Sequence, residues 1–112
     1  MSLYADQFDS PFRWTVRSRS EGKNAYLADL LEWDCQCKDF TIRHRKAVKG
    51  VGCKLEHSCW HLRCAAEAWW DAYVEPNLTS IPVVRNLDRA YIAKNKLRLA
   101  IALLADVPRD KE

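Results

Sequence analysis

The chain of 112 residues is about the length of one small domain, and such a chain can bury a working core. Its 48% hydrophobic and 29% charged residues indicate a soluble globular protein, and no stretch approaches the roughly 20 apolar residues of a membrane span. Residues 1–14 lack the basic and then apolar order of a secretory signal, and five cysteines, an odd number, argue against a disulfide framework. We therefore expect an intracellular protein that is not secreted, with thiols that are free or bound to a metal.

The net charge of +3 is unevenly distributed along the chain. Residues 38–54, called the basic segment below, carry six basic side chains against one acidic side chain. Residues 1–34 sum to −2, residues 55–84 to −3 and residues 85–112 to +3. The positive charge is therefore densest between the first two and the last two cysteines of the chain, which points to an anionic partner there.

Two strands are predicted near the N-terminus. In residues 12–20, "FRWTVRSRS", apolar and polar side chains alternate with the period of a half-buried strand. The turn "EGKN" follows, and residues 25–33, "AYLADLLEW", predict the returning strand. Leucine and alanine in this second run would also tolerate a helix, but a short turn between two runs favours a hairpin.

The rest of the chain predicts one more short strand and two helices. Residues 38–45, "KDFTIRHR", alternate like a third strand, and the two glycines of residues 46–54 indicate an exposed loop. Ser58 is positioned to cap a helix that ends at Pro76, after which a linker follows to Pro82. Residues 86–107 predict a long second helix that begins at Asn86 and ends before Pro108.

Four of the five cysteines and all three histidines lie within residues 35–61. Cys35 and Cys37 form a C-x-C pair, and Cys59 and His61 form a C-x-H pair 21 residues further on. Zinc takes four sulfur or imidazole ligands in a tetrahedron. A bend at the end of the hairpin and the incompletely wound start of a helix can direct both pairs toward one point. We expect a metal ion between them.

The stretches "WTVRSRS", "YLADLLEWD" and "CQCKDF…CWHLRCA" resemble the SWIM-type zinc finger over roughly residues 12–73. The resemblance implies that Cys35, Cys37, Cys59 and His61 bind zinc. It also implies a small ββα-type unit that binds DNA or other proteins. The gap between the two pairs is long and contains Cys53 and His57, which could compete as ligands.

Other interpretations of the thiols remain open. Free cysteine is often buried simply as a small hydrophobic residue, and we favour that interpretation for Cys64. Cys53 is flanked by glycine and lysine and fits a spare thiol, and His44 and His57 fit solvated loop positions. Four protein ligands would leave no open coordination position, so a zinc ion here is structural. No phosphate-binding glycine loop, nucleophile elbow or zinc-protease motif is present, and we expect no enzymatic activity.

The basic segment is the first candidate binding surface. Its cations could each neutralise a phosphate, which predicts salt-dependent binding to nucleic acid, DNA more than RNA. A solvated loop without a partner is the alternative. The candidate contact residues are Lys38, Arg43, Arg45, Lys46, Lys49 and Lys54.

A protein partner is the second hypothesis. Trp69 and Trp70 are adjacent, so one narrow helical stripe cannot bury both. The C-terminal helix has two series of apolar residues. One series could contact another protein or a second copy of the chain. Alternatively, both series could be buried in one core.

Together these features predict an α+β fold: a zinc-stabilised ββα-type unit, with an antiparallel hairpin or short sheet, and a long C-terminal helix. The unit would span residues 1–75. Residues 76–112 would form a linker and a helical extension, packed on the same domain or used for oligomerisation. The predicted function is non-enzymatic binding of nucleic acid beside one structural Zn²⁺ ion, with protein–protein interaction as the alternative.

Overall fold

The structure is a computed structural model that describes residues 5–17, 25–43, 58–81 and 86–107. In these ranges the chain forms a four-stranded antiparallel sheet in the order β1-β2-β3-β4, and helices complete the fold. The predicted α+β class is therefore confirmed. The elements are β1 (Ala5–Ser10), β2 (Arg13–Arg17), β3 (Ala25–Asp29), β4 (Asp34–Cys35), α1 (Lys38–Arg43), α2 (Trp60–Trp69), α3 (Arg89–Lys94) and α4 (Lys96–Ala105).

The predicted hairpin is confirmed as β2 and β3. Trp14 pairs with Ala28 and Val16 with Tyr26, so alternate residues of both strands face the core. Val16 and Ala28 are fully buried there. The first strand, β1, lies at the edge of the sheet and was not predicted, because most of its side chains are exposed and a bulge interrupts its pairing with β2.

The predicted third strand over residues 38–45 is wrong, because the chain forms α1 over this region. The Cys37 carbonyl accepts hydrogen bonds from both the backbone N–H and the hydroxyl of Thr41, each at 3.1 Å. These bonds wind the chain into a helical turn. Phe40 is consequently buried, while Ile42, two positions on and facing away, is 79% exposed.

The helix predicted after Ser58 corresponds to α2. It is predicted correctly over most of its length but differs at both ends. Cys59, rather than Ser58, is the N-cap residue of α2. Beyond Trp69 the helix continues as a π-helical turn, Trp70–Val74, and a 3-10 helix, Glu75–Ser80. Pro76 does not end the helical path, because a proline in the first turn of the 3-10 helix needs no N–H partner. The predicted linker is therefore mostly helical.

The predicted long C-terminal helix is two helices, α3 and α4, separated at Asn95. The Asn95 backbone has φ −112° and ψ 22°, and its side-chain amide donates to the Tyr91 carbonyl at 3.0 Å. An asparagine side chain that bonds the preceding turn competes with the regular helical ladder and bends it. The first helix begins at Arg89 with Asp88 as N-cap, three residues later than predicted.

One continuous core joins the sheet to the C-terminal helices through α2. The sheet contributes Val16 and Ala28, α2 contributes Leu62 and Ala66, and α4 contributes Leu104, all with no exposed surface. An ion pair between Lys96 Nζ and Asp71 Oδ1, at 2.7 Å, also joins α4 to the π-helical turn that follows α2. The helix α2 is therefore the central element, and its N-terminal end lies at the site described next.

Candidate metal centre

Four side chains converge where the sheet meets the start of α2. Cys35, Cys37, Cys59 and His61 each present one ligand atom, and these four atoms all lie within 4.8 Å of one another. The three cysteines are buried and His61 is 9% exposed. In a tetrahedral site with zinc–sulfur bonds of about 2.3 Å, the sulfurs are about 3.8 Å apart, so a small contraction would complete the coordination shell.

The turn between β3 and β4 brings Cys35 to the site. Asp29 Oδ1 accepts the backbone N–H groups of Leu31 and Glu32, each at 3.1 Å, which tightens the turn. Trp33 then adopts a left-handed backbone with φ 52°, an unfavourable conformation for a bulky residue. The fully buried indole of Trp33 keeps it in place. The chain reverses here, and Cys35 pairs with Ala28 of β3.

The start of α1 brings in Cys37. The Phe40 backbone N–H donates to Cys37 Sγ at 3.4 Å, so a main-chain dipole points at the sulfur. The Cys37 carbonyl accepts the first bonds of the helix, from Thr41. The same short helix that replaced the predicted strand therefore orients the second cysteine of the C-x-C pair.

Cys59 and His61 lie at the start of α2. Cys59 has the extended backbone of an N-cap residue, and its carbonyl accepts the Arg63 N–H at 3.2 Å. The imidazole of His61 lies edge-on to the rings of Tyr26 and Trp60, with centroids 5.0 and 5.5 Å away. Neither ring nitrogen of His61 has a hydrogen-bond partner of standard geometry among the described residues. A buried polar atom in this state calls for a ligand.

A hydrogen bond between Cys35 and Cys59 sets the pKa values of these two thiols apart. The hydrogen bond from Cys35 lowers the pKa of Cys59 to about 4, and the nearby imidazole of His61 and the Leu62 N–H also lower this pKa, against the effect of burial. The same hydrogen bond, followed by burial, raises the pKa of Cys35 far above its usual value. Burial is the main cause of the raised pKa of Cys37. The site is therefore built around at least one thiolate.

The donor set matches a small, closed metal site. Three sulfurs and one imidazole nitrogen are the ligands preferred by zinc, and they fill a tetrahedron without leaving a position for water. Three thiolates around a divalent ion leave a net charge of −1. Backbone N–H groups offset this charge from within the fold, since Phe40 donates to Cys37 and the Leu62 N–H favours the Cys59 thiolate. These four residues can hold one metal ion.

The structure brings the four predicted ligands together and leaves the other predicted site residues untested. Cys53 and His57, the predicted competitors, lie outside the described residues, as does His44. Cys64 is partly buried against the core and lies outside the four-residue cluster, as expected. Among the nucleic-acid candidates, Lys38 and Arg43 lie within α1 with side chains that are not described, and the rest lie outside the described residues: Arg45, Lys46, Lys49 and Lys54.

Two neighbours of the site were not predicted from the sequence. Tyr26 faces His61 from β3, and Trp33 shapes the turn that leads to Cys35. The alternation in β3 could have indicated Tyr26, because it lies two residues before the buried Ala28 on the same side of the strand. No sequence signal indicates a left-handed tryptophan.

The comparisons with known proteins add no relative. No protein-family model matches the chain, and no match was found among the curated proteins or the solved structures. No helix in the described ranges is both long enough and apolar enough to cross a membrane.

Proposed function

We propose that the protein is a non-enzymatic module of the SWIM zinc-finger type, in which one structural Zn²⁺ ion fixes the basic segment so that it can bind nucleic acid. The observation that carries the proposal is the convergence of Cys35, Cys37, Cys59 and His61 within 4.8 Å. The unsatisfied nitrogens of His61 support it, because a zinc ion would give one of them a partner.

Zinc fits this site better than the hard cations. Magnesium and calcium prefer carboxylate, carbonyl and water oxygens, whereas the four donors here are three sulfurs and an imidazole. With four protein ligands the ion has no free position for substrate or water. This closed shell supports a structural role over a catalytic one.

The ion would act as a cross-link between distant parts of the chain. Cys37 and Cys59 are separated by 21 residues and lie at the N-terminal ends of α1 and α2. The basic segment begins directly after Cys37 and ends five residues before Cys59. Both of its ends are therefore tied to the same metal centre, which limits the conformational freedom that the segment would lose on binding a partner.

The charge of the basic segment supports an anionic partner. Its six cations against Asp39 alone can neutralise several phosphates, and release of the counterions condensed on nucleic acid then drives binding. The segment also contains two glycines, Gly50 and Gly52, which let a backbone approach a phosphate chain closely.

Metal analysis of the purified chain tests the zinc centre. We expect one zinc per chain in the wild type and less than one tenth of this in Cys59→Ser, since three ligands bind zinc far more weakly than four. Cys64→Ser is the matched control, because this thiol lies outside the cluster, and it should retain full zinc. Equal zinc content in the two variants would refute the proposed site.

Salt titration tests the nucleic-acid interface. We expect Arg45→Gln/Lys46→Gln to weaken binding of a 20-base-pair DNA duplex and to reduce the slope of log affinity against log salt by about 1.8, or about 0.9 for each phosphate that is no longer neutralised. The control Arg17→Gln/Arg89→Gln removes the same charge from outside the basic segment and should change neither. If both pairs have equal effects, the binding reflects overall charge rather than this segment.

One observation favours a protein partner as a second candidate. Ile42 is 79% exposed on α1, five residues after Cys37, where a large apolar side chain is available for contact with another protein. A stable oligomer or protein complex whose affinity does not depend on salt concentration, and which Ile42→Ser does not form, would favour this function over nucleic-acid binding.

A further inference from the structure

The C-terminal helices carry an unusual concentration of positive charge. Residues 89–105 contain four basic side chains and no acidic one. Two of the four face acidic groups: Lys96 pairs with Asp71 at 2.7 Å, and Arg89 lies 3.7 Å from Glu75. The charges of these two cations are therefore at least partly neutralised by acidic residues that follow α2.

The other two basic side chains, Lys94 and Arg98, are exposed. Within the described part of the chain neither forms an ion pair. Tyr91, three residues before Lys94, has 49% of its surface exposed. Residues three and four apart are neighbours on a helix, so Tyr91, Lys94 and Arg98 lie along one outward side, called the Tyr91–Arg98 face below.

The break at Asn95 does not divide this face. Across it, the Asn95 N–H donates to the Tyr91 carbonyl at 3.0 Å, and the Leu99 N–H donates to the Asn95 carbonyl at 2.9 Å. These two bonds follow the i to i−4 pattern of a helix. The two short helices therefore run on from one another, and Tyr91 of α3 stays on the same side as Arg98 of α4.

We infer that the Tyr91–Arg98 face is a second contact surface for nucleic acid, and that it binds single-stranded segments. Lys94 and Arg98 would neutralise phosphates, and the Tyr91 ring would stack on a base, the combination used by single-strand binding surfaces. The inference rests on the proposed nucleic-acid function and adds to it a surface remote in sequence from the basic segment.

The side chains around this face argue against a membrane surface as the partner. Apart from Tyr91, the exposed apolar side chains on the two helices are alanines, at positions 90, 93, 102 and 105. A helix that lies in a membrane interface inserts bulky leucine, phenylalanine or tryptophan side chains, and those of α3 and α4 are turned toward the core instead.

Fluorescence anisotropy with a labelled 20-nucleotide single-stranded DNA tests the inference on the full chain with zinc present. We expect Lys94→Gln/Arg98→Gln to reduce the slope of log affinity against log salt by about 1.4, because each neutralised phosphate of a single strand contributes about 0.7. The control Arg17→Gln/Arg89→Gln removes two cations elsewhere on the surface and should leave the slope unchanged.

A second pair of variants separates stacking from charge. Tyr91→Ala should weaken single-strand binding about five-fold or more, since the aromatic ring on which one base stacks is removed. Tyr91→Phe keeps the ring and should bind within about two-fold of wild type. We expect unchanged circular dichroism spectra for these two variants and for the two double variants, because the substituted side chains are largely exposed. Such spectra would exclude misfolding as the cause of weaker binding.

The outcomes distinguish this inference from the proposed function. If Arg45→Gln/Lys46→Gln weakens binding while the Tyr91, Lys94 and Arg98 variants do not, the basic segment is the interface and the second surface is refuted. Losses confined to the Tyr91–Arg98 face would support the inference and refute the basic segment. A wild-type protein that binds no oligonucleotide at low salt would overturn both.

Discussion

The two ends of α2 are stabilised in different ways. At its start, Cys59 and His61 lie beside the thiols of Cys35 and Cys37, whose raised pKa values oppose the thiolate form that a metal ion binds. At its other end, Trp69 and Trp70 are buried among apolar side chains. The Cys/His end, called the metal end below, can hold a cation, whereas the other end, called the helical end, is stabilised by apolar side chains.

This contrast indicates how 112 residues maintain a buried polar cluster. A domain of this size has a modest core, and three closely packed sulfurs weaken it unless a metal binds them. The apolar contacts among α2, α3 and α4 hold the helix in place from the other side. Removing one kind of interaction at a time should show which parts of the fold depend on it.

Removal of zinc should have the largest effect. Zinc contributes about 10–16 kcal/mol to folding in zinc-finger peptides, as much as the whole stability of a typical domain of about 5–15 kcal/mol. Chelation should therefore abolish hydrogen-exchange protection in β4, α1 and the start of α2, with more protection retained in α4. Equal loss in both ends would show that the helical end cannot persist alone. Cys64→Ser with zinc is the control and should keep both ends protected.

A cavity in the apolar core should have the next largest effect. Leu104 has no exposed surface, and Leu104→Ala should lower the free energy of unfolding by about 2–5 kcal/mol in urea denaturation of the zinc-loaded protein. The folded variant should still hold one zinc per chain, because Leu104 is not one of the four clustered residues. Leu103→Ala, at a half-buried position, is the matched control and should lose less. Loss of zinc from folded Leu104→Ala would show that the packing of α4 is needed to hold the four side chains together.

The pH dependence of zinc affinity would sharpen the description of the metal end. Protons compete with zinc for thiolates, so affinity falls as pH falls. The raised pKa values of Cys35 and Cys37 keep these thiols protonated at pH 8, whereas the pKa of about 4 leaves Cys59 ionised. Two thiol protons should therefore leave on binding, and the affinity should rise about 100-fold per pH unit between pH 7.5 and pH 8.5.

Competition with a chelator, corrected for protonation of the chelator itself, measures this dependence. Calorimetry in buffers with different heats of ionisation counts the released protons independently. A release of three thiol protons would mean that Cys59 does not share the Cys35 proton in the metal-free protein.

The ion pair at the helical end should have the smallest effect. Lys96 and Asp71 are about one third exposed at 2.7 Å, so Lys96→Met should lower the free energy of unfolding by about 0.5–1 kcal/mol at low salt, and less at high salt. Arg89→Met is the control, because Arg89 lies 3.7 Å from Glu75 and is mostly exposed. A double-mutant cycle with Asp71→Asn isolates the pair; a coupling energy near zero would show that apolar contacts alone hold α4 on α2.

The strands and helices that could be predicted are those with a long repeating pattern. The alternation of β2 and the three- and four-residue spacing in α2 both extend over enough residues to define a period. The α1 region has only Phe40 and Ile42 in alternation, too little to distinguish a strand from a turn of helix. The deciding interactions there, from Phe40 and Thr41 to Cys37, depend on three-dimensional placement.

The cluster of four side chains was predictable because a metal site restricts residue type and spacing together. The C-x-C and C-x-H pairs state both in the sequence, so the four residues could be chosen without knowing the fold. The residues that hold these four side chains in place could not be predicted in this way. The left-handed Trp33 and the aromatic contacts of His61 arise from the packing of β3, β4 and α2, and the break at Asn95 depends on a local competition for one carbonyl.

The attachment of residues 38–58 at both ends to one metal centre has an evolutionary consequence. Closing a longer connection adds only about 0.6 kcal/mol for each doubling of its length, whereas Phe40 and Thr41 have to stay, because their hydrogen bonds to Cys37 orient this thiol. We therefore expect residues 44–57 to tolerate changes of length and sequence that residues 38–43 would not. Exchange of residues 44–57 is then the way to change what the proposed interface binds without changing the four-residue cluster.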